Sequence, residues 1–152
     1  MSLFPVIRRA TEADLKDIYA IESAVQESPW LEAAFADFQA DDEVYFFVVE
    51  GASGKPEAFI IAVSGDDFLE ILNFAVAPLA QGQGTGSLLF KFVLNRAAKS
   101  GIKTVRLEVR ESNSRAIAIY KKNGLKVVGI RKGYYNDNSE DALLMTGKIS
   151  FA

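Results

Sequence analysis

Cysteine and histidine, the side chains that most often attack carbonyls or carry protons near neutral pH, are both absent from the 152 residues. Disulfides, thiolate zinc sites and covalent intermediates on sulfur or imidazole are thereby excluded. Proton transfer falls to carboxylate, tyrosine, lysine, backbone or water. Two side chains have a suitable type in a suitable pattern. Val105, Leu107 and Val109 alternate with Thr104, Arg106 and Glu108, so a strand here turns Glu108 away from its apolar face. Such a carboxylate is a solvated group, an ion-pair member or a base. Tyr120 follows Asn113 by seven residues and Ile117 by three, which puts all three on one side of a helix. A phenol, with a pKa near about 10, stays protonated at neutral pH, so Tyr120 reads as a packed aromatic or a proton donor.

The third feature is Gln81-Gly82-Gln83-Gly84-Thr85-Gly86, between a strand ending at Val76 and an amphipathic helix. Alternate glycines let backbone N–H groups converge on one concavity, and the helix N-terminus adds partial positive charge there. The ligand this predicts is a phosphate or pyrophosphate; the alternative is a plain connection. A P-loop is excluded because Ser87-Leu88, not Lys-Ser or Lys-Thr, follows Gly86. A dinucleotide fingerprint needs glycine where Ser87 stands, although Glu108 could imitate its ribose-binding acid. Two helices precede the loop, which is the wrong place for a Rossmann first turn.

These residues need elements to position them. The sequence predicts a strand over Phe4–Arg9, then a capping box at Thr11 to Asp14 opening a helix whose Leu15, Ile18, Tyr19 and Glu22 share a face. Ser28-Pro29 predicts a second helix to about Gln39. Strands follow over 44–49, 57–64 and 68–76. Leu88, Leu89, Phe92, Val93 and Ala97 recur at helical spacing after the glycine turn. Strand 103–109, helix 113–123 with Gly124 as its cap, and strands 125–131 and 142–149 complete one α+β domain over 1–152.

Apolar residues are 49% and charged residues 24% of the chain, which excludes a disordered architecture. No uninterrupted apolar run exceeds six residues, and no charged-then-apolar leader opens the sequence, so a cytoplasmic protein with no membrane partner is expected. The net charge of −3 is uneven: 4 basic against 15 acidic residues through Gly86, then 12 basic against 2 acidic from Ser87 to Lys132. A basic half suits a polyanionic ligand, and an acidic half attracts a cationic one. Without a Lys/Arg-rich arm, direct nucleic-acid binding is not expected.

Read at Gln81, Gly84 and Gly86, the loop resembles the acetyl-coenzyme A loop of the GNAT superfamily of N-acetyltransferases. Asn73-Phe74-Ala75-Val76-Ala77-Pro78 resembles the superfamily's bulged strand. Leu107 to Asn113, Ala116 to Tyr120 and Gly124-Leu125 are similar to its second half, so the likeness covers nearly the whole chain. Ile21-Glu22 with Ser28-Pro29-Trp30, and Arg131-x-x-Tyr134-Tyr135 with Glu140-Asp141-Ala142 and Met145, resemble the bacterial ribosomal-protein alanine N-acetyltransferases. One departure is Gly82, where that family usually has arginine, and it should weaken one pyrophosphate contact.

The resemblance implies a mixed, mostly antiparallel sheet of about seven strands flanked by about four helices. It implies acetyl-coenzyme A as cosubstrate, no metal, and direct transfer to a protein N-terminal α-amine, of a ribosomal protein ending in alanine. Glu108 would be the base, with Glu70 as runner-up, and Tyr120 the acid. Phe74, Ala75, Val76, Gln81, Gly82, Gln83, Gly84, Thr85, Gly86, Ser87 and Asn113 would hold the cosubstrate, a backbone N–H near Val76 meeting the thioester carbonyl. Trp30, Tyr134 and Tyr135 would hold the acceptor; their plain reading is aromatic packing. Alternatives are a small amine, polyamine or amino acid as acceptor, or a non-catalytic coenzyme A-binding module.

Overall fold

The structure is a computed structural model and describes residues 5–150, which leaves Phe4 of the first expected strand outside. Seven strands, β1 (Val6–Arg9), β2 (Tyr45–Glu50), β3 (Pro56–Ser64), β4 (Phe68–Val76), β5 (Thr104–Arg110), β6 (Lys126–Arg131) and β7 (Ala142–Lys148), form one sheet in the order β1-β2-β3-β4-β5-β7-β6. Four helices accompany them: α1 (Leu15–Val25), α2 (Glu32–Gln39), α3 (Thr85–Lys99) and α4 (Ser114–Lys122). Every register determined is antiparallel except β4 against β5, which is parallel from Phe68↔Thr104 to Ile71↔Leu107. By compactness the chain groups into two units, one running through Val63 with Asn73–Val93, the other Ser64–Leu72 with the chain after Val93.

In the first unit β2 and β3 are apolar on both faces, and Phe46, Val48, Phe59, Ile60 and Ile61 are fully buried. Phe35 of α2 meets Phe59 edge-on, ring centroids 5.6 Å apart. A short 3-10 turn, Glu12–Asp14, leads into α1, and Asp14 accepts the Thr11 N–H at 2.8 Å. Asp14 is also gripped by Arg8, whose Nη1 and Nη2 lie 2.6 and 2.9 Å from its oxygens. This arginine holds the Asp14 carboxyl below its ordinary range.

α2 starts three residues later than Ser28-Pro29 predicts. The Trp30 N–H donates to the Glu22 carboxylate at 2.9 Å, and Leu31, with ψ 145, is still extended. A tertiary acceptor therefore outcompetes the local start signal. On α3, Leu88 is 40% exposed while Phe90 is fully buried, so the buried face is Leu89, Phe90, Val93, Leu94 and Ala97.

In the second unit β5 buries Val105, Leu107 and Val109 and turns Arg106 and Glu108 outward, as the alternation predicts. α4 ends as expected at Gly124. Its φ of 91° lets the Gly124 N–H reach the Lys121 carbonyl and the Leu125 N–H reach that of Tyr120, each at 3.0 Å. These bonds seat Tyr120 in the last turn of α4, facing the core.

Candidate active site

The glycine turn lies in the first unit. Gly82 and Gly84 take φ of 79° and 82°, which favours glycine, and a Cβ on either would meet nothing within 4 Å. Backbone conformation, not crowding, requires them, and the space over the turn is open. Gly86 differs from the expected loop position: it is inside α3. The first helical bond runs from Leu88 N–H to Gly84 carbonyl at 3.0 Å, so the N–H groups of 84–87 precede the α-helical ladder. No acidic residue stands in that first turn, while Arg96 and Lys99 occupy the last. The positive end of the dipole is thus left for an anion, and the donor set fits a diphosphate.

Gln81 turns its side chain inward, Nε2 donating to the Val76 carbonyl at 3.0 Å. It fastens the turn to the end of β4 and leaves its backbone, not its amide, to any ligand. Gln83 similarly reaches the Leu79 carbonyl at 3.3 Å. In β4 the Phe74 N–H is taken by the preceding side chain, Asn73 Oδ1, at 2.9 Å. Ala75 is buried, Val76 is half-buried, and Ser87 is buried in the first turn of α3. Trp30 packs at 5.5 Å centroid distance on both Phe35 and Phe38, half-buried.

In the second unit several expected residues meet. The Tyr134 hydroxyl donates to the Glu108 carboxylate, and this bond raises the Tyr134 pKa. Arg131 Nε stands 3.4 Å from Glu108 Oε1, and its guanidinium lies 5.5 Å from the Tyr134 ring. Tyr134 and Tyr135 meet edge-on, centroids 5.2 Å apart. Tyr120 is 5% exposed, and burial first, then Tyr135, raises its pKa well above the ordinary phenol value. It therefore keeps its proton at any working pH. Glu70 instead pairs with Arg106 at 3.2 Å.

Asn113 caps α4, its Oδ1 accepting the Ala116 N–H at 3.2 Å, so the amide NH2 is what it can offer a ligand. Sequence reasoning missed Arg110. Its guanidinium holds Asp137 at 2.7 and 3.0 Å and lies 4.0 Å over the Tyr135 ring. The Ser112 hydroxyl first, and then the Ser112 N–H that donates to Glu140 at 2.6 Å, hold the Glu140 carboxyl below the ordinary range. Together these pin the β6–β7 loop that carries both tyrosines. The alternation that singled out Glu108 also put Arg110 on the same side.

The first unit thus offers an open glycine turn at a helix N-terminus, and the second offers Glu108 of β5 beside Tyr134 of the β6–β7 loop. The acetyltransferase (GNAT) family model matches residues 15–125, and the chain belongs to that family as an N-acetyltransferase. The [ribosomal protein bS18]-alanine N-acetyltransferase of Escherichia coli (strain K12) is 37% identical over 139 residues, 90% of this chain and 93% of that protein. The crystal structure of the ribosomal-protein-S18-alanine N-acetyltransferase from Escherichia coli superposes with a TM-score of 0.87 at 36% identity, covering 98% of this chain and 96% of that one. Ard1 from Thermoplasma volcanium gives a TM-score of 0.89 at 28% identity, covering 97% and 99%. Among the described residues no helix is long and apolar enough to cross a membrane.

Proposed function

We propose that the chain acetylates the α-amine of a protein N-terminus, the acceptor being a ribosomal protein that begins with alanine, in the cytoplasm. The observation that carries this reading is the Glu108 carboxylate held between the Tyr134 hydroxyl and Arg131. Acetyl-coenzyme A supplies the acyl group already activated as a thioester, and the turn from Gly82 to Ser87 with β4 residues Phe74 to Val76 binds it. Glu108, directly or through one water, takes a proton from the acceptor ammonium, whose reference pKa of about 8 demands only mild assistance. Amine nitrogen then attacks the acyl carbon and the C–N bond forms, the nitrogen loses its second proton to water, and the C–S bond breaks.

Tyr120 donates a hydrogen bond to the departing sulfur. Its raised pKa makes complete proton transfer to a thiolate of pKa near about 8.5 uphill, so hydrogen-bond stabilisation is its main contribution and solvent supplies the final proton. Tyr134 and Tyr135, on the loop pinned by Arg110, and Trp30 orient the peptide end. The test mixes the protein with acetyl-coenzyme A and a panel of N-terminal peptides and small amines and follows free thiol. Release with alanine-ended peptides is expected. Release confined to polyamines or amino acids reassigns the acceptor, and no release with any acceptor refutes the reading.

A further inference from the structure

Glu22, on α1, is only 1% exposed, and none of the roles proposed above uses it. Its Oε2 accepts the Trp30 N–H at 2.9 Å, and its Oε1 accepts the Asn73 amide at 3.0 Å. The Gln26 side chain also donates to it. Asn73, itself buried, accepts at Oδ1 from Gln26 Nε2 at 3.1 Å and from the Phe74 N–H at 2.9 Å.

All the hydrogen bonds in this network run in one direction. Trp30 N–H, Phe74 N–H and the Gln26 amide donate, and Asn73 relays by accepting at its oxygen and donating at its nitrogen. The relay must end on a group that accepts only, and an ionised carboxylate is that group. Burial pushes the Glu22 carboxyl up from its ordinary value, and the Trp30, Asn73 and Gln26 donors pull it back. With the folded value above the unfolded one, the folded state binds more proton, so this group's contribution to stability falls as pH rises through that interval. Holding the charge there carries a desolvation cost at neutral pH, offset by the donors it satisfies. What the carboxylate provides is orientation of two backbone segments, one at Trp30 and one at Asn73–Phe74.

We infer that Glu22 is a positioning residue for acetyl transfer, holding the acceptor segment at Trp30 and the cosubstrate strand at Phe74 in one fixed arrangement. The inference rests on the acetyltransferase reading above. Exchanging the two side-chain types tests it. E22Q keeps one oxygen for Trp30 but turns an NH2 toward the NH2 of Asn73. N73D sets a second carboxylate against Glu22. The double exchange E22Q/N73D restores the four bonds other than that from Gln26 to position 22: the amide at position 22 accepts from Trp30 and donates to the carboxylate at position 73, which also accepts from Gln26 and Phe74.

Each single variant, assayed well below its melting midpoint, is expected to lose about tenfold or more in kcat/KM and to bind coenzyme A about threefold or more weakly by calorimetry. The double variant is expected to return to within about threefold of wild type in both. A purely structural role would move the melting midpoint without this rescue of catalysis. Wild-type kcat/KM in E22Q, or a folded double variant as poor as the worse single one, overturns the inference. Should the double variant not fold, amide hydrogen exchange in E22Q decides, with faster exchange at Trp30 and Phe74 expected and unchanged protection at Phe74 overturning it. Coenzyme A binding keeps this separate from the parent reading: wild type that binds coenzyme A but acetylates no acceptor refutes the activity and leaves the calorimetric comparison intact.

Discussion

Replacing Glu108 by glutamine removes a charge and a proton acceptor while changing almost nothing else. Glutamine has the same shape and still offers an oxygen to the Tyr134 hydroxyl. On the stability side, the Glu108 and Arg131 side chains are 32% and 55% exposed at a separation of 3.4 Å. An ion pair so open to solvent contributes about 0–1 kcal/mol, and for a chain of this size the melting temperature should move by no more than about 4 °C. On the catalytic side, a positioned base is worth about 10²–10⁴-fold, or about 2.7–5.5 kcal/mol of barrier. Single-turnover thiol release from acetyl-coenzyme A, with an alanine-ended peptide, should therefore slow by at least about a hundredfold in Glu108→Gln. Acetyl-coenzyme A affinity should hold, because Glu108 has no role in the proposed phosphate contacts, which are backbone N–H groups. Glu70→Gln is the control. Glu70 already spends its charge on Arg106, and its loss should change the rate by less than about threefold. A Glu108→Gln enzyme within threefold of wild type, or a hundredfold loss transferred to Glu70→Gln, would refute the assignment of the base.

The other predictions are simpler. Tyr120→Phe removes one buried hydroxyl and should lower kcat by about a hundredfold at a stability loss of about 1 kcal/mol, read by stopped-flow thiol release beside urea unfolding. Gly84→Ala forces an L side chain to φ 82° with open space around it, a local strain of about 1–2 kcal/mol. Its coenzyme A affinity should fall by calorimetry, and unchanged affinity would mean the turn is not the diphosphate site. Arg8→Gln removes both Asp14 bonds and should cost about 1.5–3 kcal/mol at pH 7 in urea titration. Because Arg8 depresses the Asp14 pKa, that stability is present above the ordinary carboxylate value and lost as pH falls through the depressed one. The variant should therefore show a flatter acid limb.

Legibility varied residue by residue. The period-2 pattern from Thr104 to Val109 was enough to orient Glu108, because one face of β5 is apolar and a register slip would expose it. Gly124 announced the end of α4 because its left-handed φ is a local requirement. The start of α2 was misread because Ser28-Pro29 is a local signal, whereas the deciding acceptor, Glu22, sits on another helix. Gln81 stands among the expected cosubstrate residues by its place in the motif; where β4 ends decides that its side chain returns to Val76 and leaves its backbone to a ligand. On α3, the spacing of Leu88, Leu89 and Phe92 marks an amphipathic helix, and the fold decides that Phe90 is buried while Leu88 stays 40% exposed, since a helical repeat does not say which residue faces the centre of the stripe.

By itself, the sequence determined what short-range physics controls: strand alternation, helix caps, glycines where φ must be positive, and the absence of thiol and imidazole chemistry. Only the tertiary structure decided which polar groups meet. The Glu22–Asn73 bond joins residues 51 apart, and the Arg110–Asp137 pair joins residues 27 apart. Such partners are chosen by where the sheet and helices bring them, and a buried donor must be satisfied there or its desolvation is lost outright. No local pattern encodes that requirement, so Glu22, which spacing alone puts on one face of α1 with Leu15, Ile18 and Tyr19, becomes the end point of a buried relay only once the chain has folded.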